Sequence, residues 1–139
     1  MYVYKATVVD HIDGDSIYLD IDLGFDVVLK RQNVRLYGID TPESRTTELY
    51  VKQFGKLSSK ITCNLCPIGS IITIHTELDK SGKYGRILGT LITKDNINVN
   101  EYLVENHYAV KYKGHSKELI RSEHEQNFEW LIKNNKIEV

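Results

Sequence analysis

The stretch Val34-Arg35-Leu36-Tyr37-Gly38-Ile39-Asp40-Thr41-Pro42-Glu43-Ser44-Arg45 decides how this chain is read. It begins as a strand, with Val34, Leu36 and Ile39 apolar and Arg35 between them, breaks at Gly38 and stops at Pro42. Asp40 and Glu43, with Arg35 and Arg45, are thereby delivered to one strand end and the turn after it. A strand end is rigid and a proline fixes the direction of a turn, so charges carried there are held in register. Opposite charges crowded into so short a segment, flanked by apolar residues, exceed what a solvated loop requires.

Working back toward residue 1, residues 2–10 alternate loosely and end in Val8-Val9, a first strand. Asp13-Gly14-Asp15-Ser16 is a turn signal. Ile17, Leu19 and Ile21 then alternate with polar residues as a second strand, residues 22–26 connect a hairpin, and Val27–Leu36 returns as a third strand with an irregularity near Arg31-Gln32-Asn33. Working forward, residues 44–48 are a loop. Leu49–Thr62 carries Val51, Phe54, Leu57 and Ile61 at helical spacing. Residues 70–77 and 86–93 form a hairpin around the two-glycine turn 79–85, Val99–Val104 is a short helix, and Ser116 caps a third helix running to about Lys133. A meander, a helix, two strands and further helices predict an α+β, mainly β fold: a five-stranded barrel of OB type with three packed helices, as a single domain over residues 1–139.

Composition narrows the function. The 139 residues are 41% hydrophobic and 27% charged, with a net charge of −1. Bulk charge therefore does not attract nucleic acid, and an anionic substrate has to be gripped by local cations. No apolar run reaches the ~18 residues of a membrane span, so no membrane partner is expected. The start reads as a strand and not as a signal peptide, so a cytoplasmic location is expected unless a leader has been removed. Cys63 and Cys66 form one Cys-x-x-Cys with no second pair to complete a zinc site, and are read as semi-buried thiols. None of the five histidines shows zinc spacing, and all are read as structural or surface residues.

Asp15 stands at the start of the second strand and Asp40 at the end of another strand of the same meander. If those strands pair, the carboxylates converge and repel unless a cation lies between them; oxygen ligands favour Ca²⁺, Mg²⁺ or Mn²⁺. The Thr41 carbonyl adds a further oxygen. Taken alone, Asp15 is equally ordinary turn chemistry. Arg35 and Arg86 suit two-toothed binding of a phosphodiester, the plainer alternative being surface ion pairs such as Arg35 with Glu43. Glu43 can take a proton from an attacking water, or brace a loop. Tyr84 and Tyr112 can stack on a base, though core packing serves any one of nine tyrosines equally well. Lys80, Lys83, Lys111 and Lys113 are candidates for a cationic rim around Arg86.

These residues carry a resemblance. Asp13-Gly14-Asp15-Ser16, then Val34-Arg35-Leu36 through Ile39-Asp40-Thr41-Pro42-Glu43, then Lys83-Tyr84-Gly85-Arg86, then Val99-Asn100-Glu101 with Leu103-Val104, resemble in order and spacing the motifs of staphylococcal nuclease (thermonuclease) homologues, over roughly residues 5–125. The resemblance implies a Ca²⁺-dependent phosphodiesterase acting on single-stranded DNA or RNA and leaving 3′-phosphate ends. It implies Asp15, Asp40 and the Thr41 carbonyl as Ca²⁺ ligands, Glu43 as general base, Arg35 and Arg86 on the phosphate, and Lys83, Tyr84 and Tyr112 near the nucleotide. A monomer is expected. Departures are Ser16 in place of the commoner Thr, the extra residues Lys80-Ser81-Gly82, one clear tyrosine after the second helix, and the tail after Trp130. The alternative is a barrel that binds nucleic acid without cleaving it; such a domain is expected to lack some of Asp15, Arg35, Asp40, Glu43 and Arg86, and all are present.

Overall fold

A computed structural model of the chain describes residues 2–77, 86–114 and 116–137. Five long strands close a barrel: β1 (Val3–Asp13), β2 (Ser16–Gly24), β3 (Val27–Leu36), β5 (Ile71–Glu77) and β6 (Ile87–Ile92), in the order β1-β2-β3-β6-β5 with β1 pairing back onto β5. All pairs are antiparallel except β3 with β6, which meet in parallel through Val34–Leu36 and Ile87–Gly89. The fold is the α+β, OB-type barrel that the order of elements predicts.

Alternation drives the closure. Ala6, Val8, Ile17, Leu19, Ile21, Val34, Leu36, Ile72, Ile74 and Leu91 point inward and are almost fully buried. Gly89 is needed in this lumen, because a Cβ there would lie 2.8 Å from the Ile74 side chain. The irregularity expected near residue 31 is a register shift between Leu19 and Ile21, opposite Arg31 at φ 46°.

Three helices cover the barrel: α1 (Leu49–Leu65), α2 (Val99–Glu105) and α3 (Lys117–Lys133). Ser116 caps α3 as expected, its hydroxyl accepting from the Leu119 amide at 3.3 Å. A second core joins α1 to α3, where Phe54 and Phe128 stack at 4.0 Å and Leu131 closes over them. The two-residue strands β4 (Ile39–Asp40) and β7 (Val110–Lys111) pair antiparallel and tie the segment after α2 to the strand end that carries Asp40.

Asn100 fixes this corner. Its side-chain amide donates to the carbonyls of Tyr37 (2.9 Å) and Gly89 (3.2 Å) and accepts from the Leu91 amide (3.2 Å). A buried amide with its bonds made is a stiff joint. It locks α2 to β6 and to the turn that launches β4.

Candidate active site

Both walls of the candidate site are built by close backbone approach. The Thr62 hydroxyl of α1 donates to the Gly14 carbonyl at 2.7 Å, holding the turn from which Asp15 emerges. A Cβ on Gly14 would sit 3.0 Å from Ser58 and 3.1 Å from Thr41, so glycine lets α1 and the 41–43 segment close on this turn. Gly55 does the same for Glu43: a Cβ there would lie 2.5 Å from the Glu43 carbonyl oxygen. Ser44 donates to the Asp13 carboxylate at 2.7 Å, which joins the turn after Pro42 to the end of β1.

Arg35 projects from β3 between the two carboxylates. Its Nη1 pairs with Asp15, and its Nη2 donates to Asp40 Oδ1 at 3.3 Å and to the Ile39 carbonyl at 3.2 Å. Asp15 also accepts from the Thr41 amide at 3.2 Å. The remaining oxygen of Asp40, Oδ2, lies 2.8 Å from His124 Nε2 of α3. The carboxylates do converge as the sequence predicts, and the cation between them here is Arg35 itself. Arg35 takes these partners and not Glu43, the example given for the plainer ion-pair alternative.

Around this centre lies a cavity of about 760 Å³ whose lining includes Asp15, Arg35, Asp40, Thr41, Glu43, Arg86 and Tyr112. Lys83 and Tyr84, expected near the nucleotide, lie outside the described residues, as do Lys80 and the 79–85 turn. Toward α3 the cavity reaches Lys117, Arg121 and His124, with Tyr50 and Phe128 on an apolar flank. Lys111 and Lys113, expected on a cationic rim, do not line this cavity; among the described residues its cations besides Arg35 and Arg86 are Lys117 and Arg121 of α3.

Formal charge in the lining is unbalanced. Six carboxylates (Asp13, Asp15, Asp40, Glu43, Glu48, Glu125) face four cations (Arg35, Arg86, Lys117, Arg121) among the described residues. Leaving His124 out of the count, the balance of these residues is −2, which repels a polyanion unless positive charge is added. The groups at the centre are the oxygens of the Asp15 and Asp40 carboxylates, with Thr41 beside them in the lining. That set suits a hard divalent cation, and the acid excess matches the charge of one. Among the described residues no group of three or more His, Cys, Asp or Glu side chains is arranged to hold a metal ion by itself. An ion seated here would keep ligands from solvent or substrate.

His124 is the residue the sequence reading passed over, and a usable signal was present. Counting from the cap at Ser116, the stripe Ile120, His124, Phe128, Leu131 has helical spacing, and all four are buried. Cys63 and Cys66 stay free thiols at the far end of α1. Burial, with the charge of Cys63 adding to it, pushes the Cys66 thiol up to about 12, which removes it from nucleophilic or redox chemistry at neutral pH. No helix among the described residues is long and apolar enough to cross a membrane.

Comparison with known proteins agrees with this geometry. A family model described as staphylococcal nuclease homologue matches residues 33–137. Endonuclease YhcR of Bacillus subtilis (strain 168) is 32% identical over 114 residues, covering 78% of this chain and 9% of that protein. An uncharacterised protein of Bacillus anthracis is 30% identical over 106 residues, covering 76% of this chain and 46% of its own length. The chain therefore spans less than half the length of either relative. With the matched segment carrying the end of β3, β4 to β6 and all three helices, the chain belongs to the staphylococcal nuclease homologue family.

Proposed function

We propose that this protein is a nuclease that hydrolyses phosphodiester bonds of single-stranded DNA or RNA with Ca²⁺, leaving 3′-phosphate ends. The observation that carries the reading is the convergence of Asp15, Arg35, Asp40, Glu43 and Arg86, drawn from distant parts of the chain, on one cavity. Family membership and the endonuclease relative support it.

In this reading Asp15, Asp40 and the Thr41 carbonyl hold the ion, which when bound supplies positive charge beside the phosphate. Arg35 and Arg86 bind non-bridging oxygens of the phosphate and stabilise the charge that builds in the transition state. Glu43 accepts a proton from the attacking water. The water oxygen bonds to phosphorus as the bond to the sugar 5′-oxygen breaks, and that oxygen leaves as an alkoxide that takes a proton from solvent. The products are a 3′-phosphate and a 5′-hydroxyl. Tyr112, exposed at the cavity, offers a face for a base.

The test is digestion of denatured DNA by the purified chain, with Ca²⁺ and with a chelator, beside Glu43→Ala. Cleavage is expected with Ca²⁺, is abolished by the chelator, and falls by about 10²–10³ in the variant, the usual loss for one preorganised catalytic group. Absence of cleavage with any divalent ion, together with retained single-strand binding, would replace the enzyme with a non-catalytic nucleic-acid-binding barrel.

A further inference from the structure

We infer that His124 is a positioning residue for the divalent cation: its Nε2–H aims the Asp40 carboxylate and raises the affinity of the site for the ion. The inference rests on the reading of Asp40 as a metal ligand. Three observations carry it.

The contact is close and protected. Nε2 lies 2.8 Å from Asp40 Oδ2, and His124 is 8% exposed. A carboxylate accepts and does not donate, so the hydrogen belongs to Nε2. Asp40 is then held from two sides, through Oδ1 by Arg35 on β3 and through Oδ2 by His124 on α3. A carboxylate gripped at both oxygens has its rotation fixed before an ion arrives. A partner that fixes a ligand's orientation in this way typically contributes 10–100-fold in metal affinity.

The ring is there for its nitrogen and not only for its packing. His124 stacks on Phe128 at 6.1 Å, continuing the Phe54–Phe128 column. An apolar ring would extend that column with no polar atom to bury. Histidine instead leaves Nδ1 buried with no hydrogen-bond partner among the described residues, a cost that packing alone does not offset. The contact to Asp40 is the feature an apolar ring would lack.

The ring is also braced by its neighbours. Tyr50 meets Phe54 at 5.3 Å and Phe128 at 5.6 Å, edge-on in both cases. This aromatic cluster holds α3 against α1 and sets how far Nε2 reaches into the site. His124 does not touch the reacting atoms, and its action passes through Asp40.

The experiment is direct titration of the full chain with Mn²⁺, the free ion being followed by its electron paramagnetic resonance signal, for wild type, Asp40→Asn, His124→Phe and His124→Gln. His124→Phe keeps a ring on Phe128 and removes the donor; His124→Gln restores a side-chain N–H. The expected result is weakening by about 10–100-fold in His124→Phe, with recovery of most of the affinity in His124→Gln and thermal transitions showing both variants folded. Wild-type affinity in His124→Phe would overturn the inference, because the donor would then be dispensable. Equal loss in both variants would also overturn it, assigning the effect to side-chain shape. A wild-type chain that binds no Mn²⁺, or binds it unchanged in Asp40→Asn, would overturn the metal reading itself and the inference with it. If His124→Phe fails to fold, His124→Leu takes its place as the donor-free variant and is read by the same criteria.

Discussion

Arg35 is the residue on which the two states of the site turn. In the structure its guanidinium bridges Asp15 and Asp40, with only 17% of the side chain exposed. In the proposed reaction the same fork faces a phosphate. Lysine carries the charge but not the fork, so it cannot reach two carboxylates from one head group. Arg35→Lys is therefore expected to cost activity by about 10²-fold or more, and stability by about 3 kcal/mol, the low end for breaking a buried pair. Chemical denaturation read beside cleavage of denatured DNA checks both. An active, fully stable Arg35→Lys would show that neither role needs the planar group. At this scale much of the site was legible, because Asp15, Arg35, Asp40 and Glu43 stand beside turn residues that announce strand ends. His124 was not read as part of it because its helical spacing with Ile120 and Phe128 marks a buried face and says nothing of the partner that face meets. Its meaning depends on an aspartate 84 positions away.

At the scale of elements, α1 is the wall against which the turn after β4 is pressed, and Gly55 sets the gap. A glycine inside a helix is normally improved by alanine, by up to about 1 kcal/mol. Here the added Cβ would meet Glu43 O at 2.5 Å and Ser44 N at 2.7 Å, and both are backbone atoms that cannot rotate away. Overpacking of that kind costs about 1–3 kcal/mol, so the sign reverses. Gly55→Ala should lower stability and, by displacing Glu43, lower cleavage by more than the fraction unfolded explains. Thermal unfolding paired with rates at a temperature where the variant is fully folded separates the two effects; an Ala variant as stable and active as wild type would mean that α1 does not clamp the turn. The helix itself was legible from Val51, Phe54, Leu57 and Ile61, but its buried face was only half read. The most buried positions besides Phe54 are Gly55, Ser58 and Thr62. Ser58 donates to the Tyr108 carbonyl at 2.6 Å and Thr62 to Gly14. Small polar residues that satisfy backbone carbonyls leave no trace in a hydrophobic pattern. That β4 and β7 pair with each other was hidden for a related reason, since two residues cannot display a period.

For the molecule as a whole, the family match and the folding unit have different boundaries. The matched segment begins at residue 33 and so omits β1, β2 and the first six residues of β3. Those strands are not an accessory. β1 closes the barrel by pairing with both β2 and β5, and β2 is the antiparallel neighbour of β3. Together they contribute Ala6, Val8, Ile17, Leu19 and Ile21 to the core, each no more than 2% exposed. Burial of a branched aliphatic side chain is worth about 1.5–3 kcal/mol. Losing this set removes an amount comparable with the ~5–15 kcal/mol that holds a domain of this kind together. It also opens β3 and β5 as unpaired edges and takes away Asp15, the partner of Arg35. A chain comprising residues 33–137 alone is therefore expected to show no cooperative thermal transition by circular dichroism, where the full chain shows one, and to cleave no DNA. A sharp transition in the shortened chain would mean that the end of β3, β5, β6 and the helices form a core without the first two strands, and that the barrel's closure contributes little to its stability.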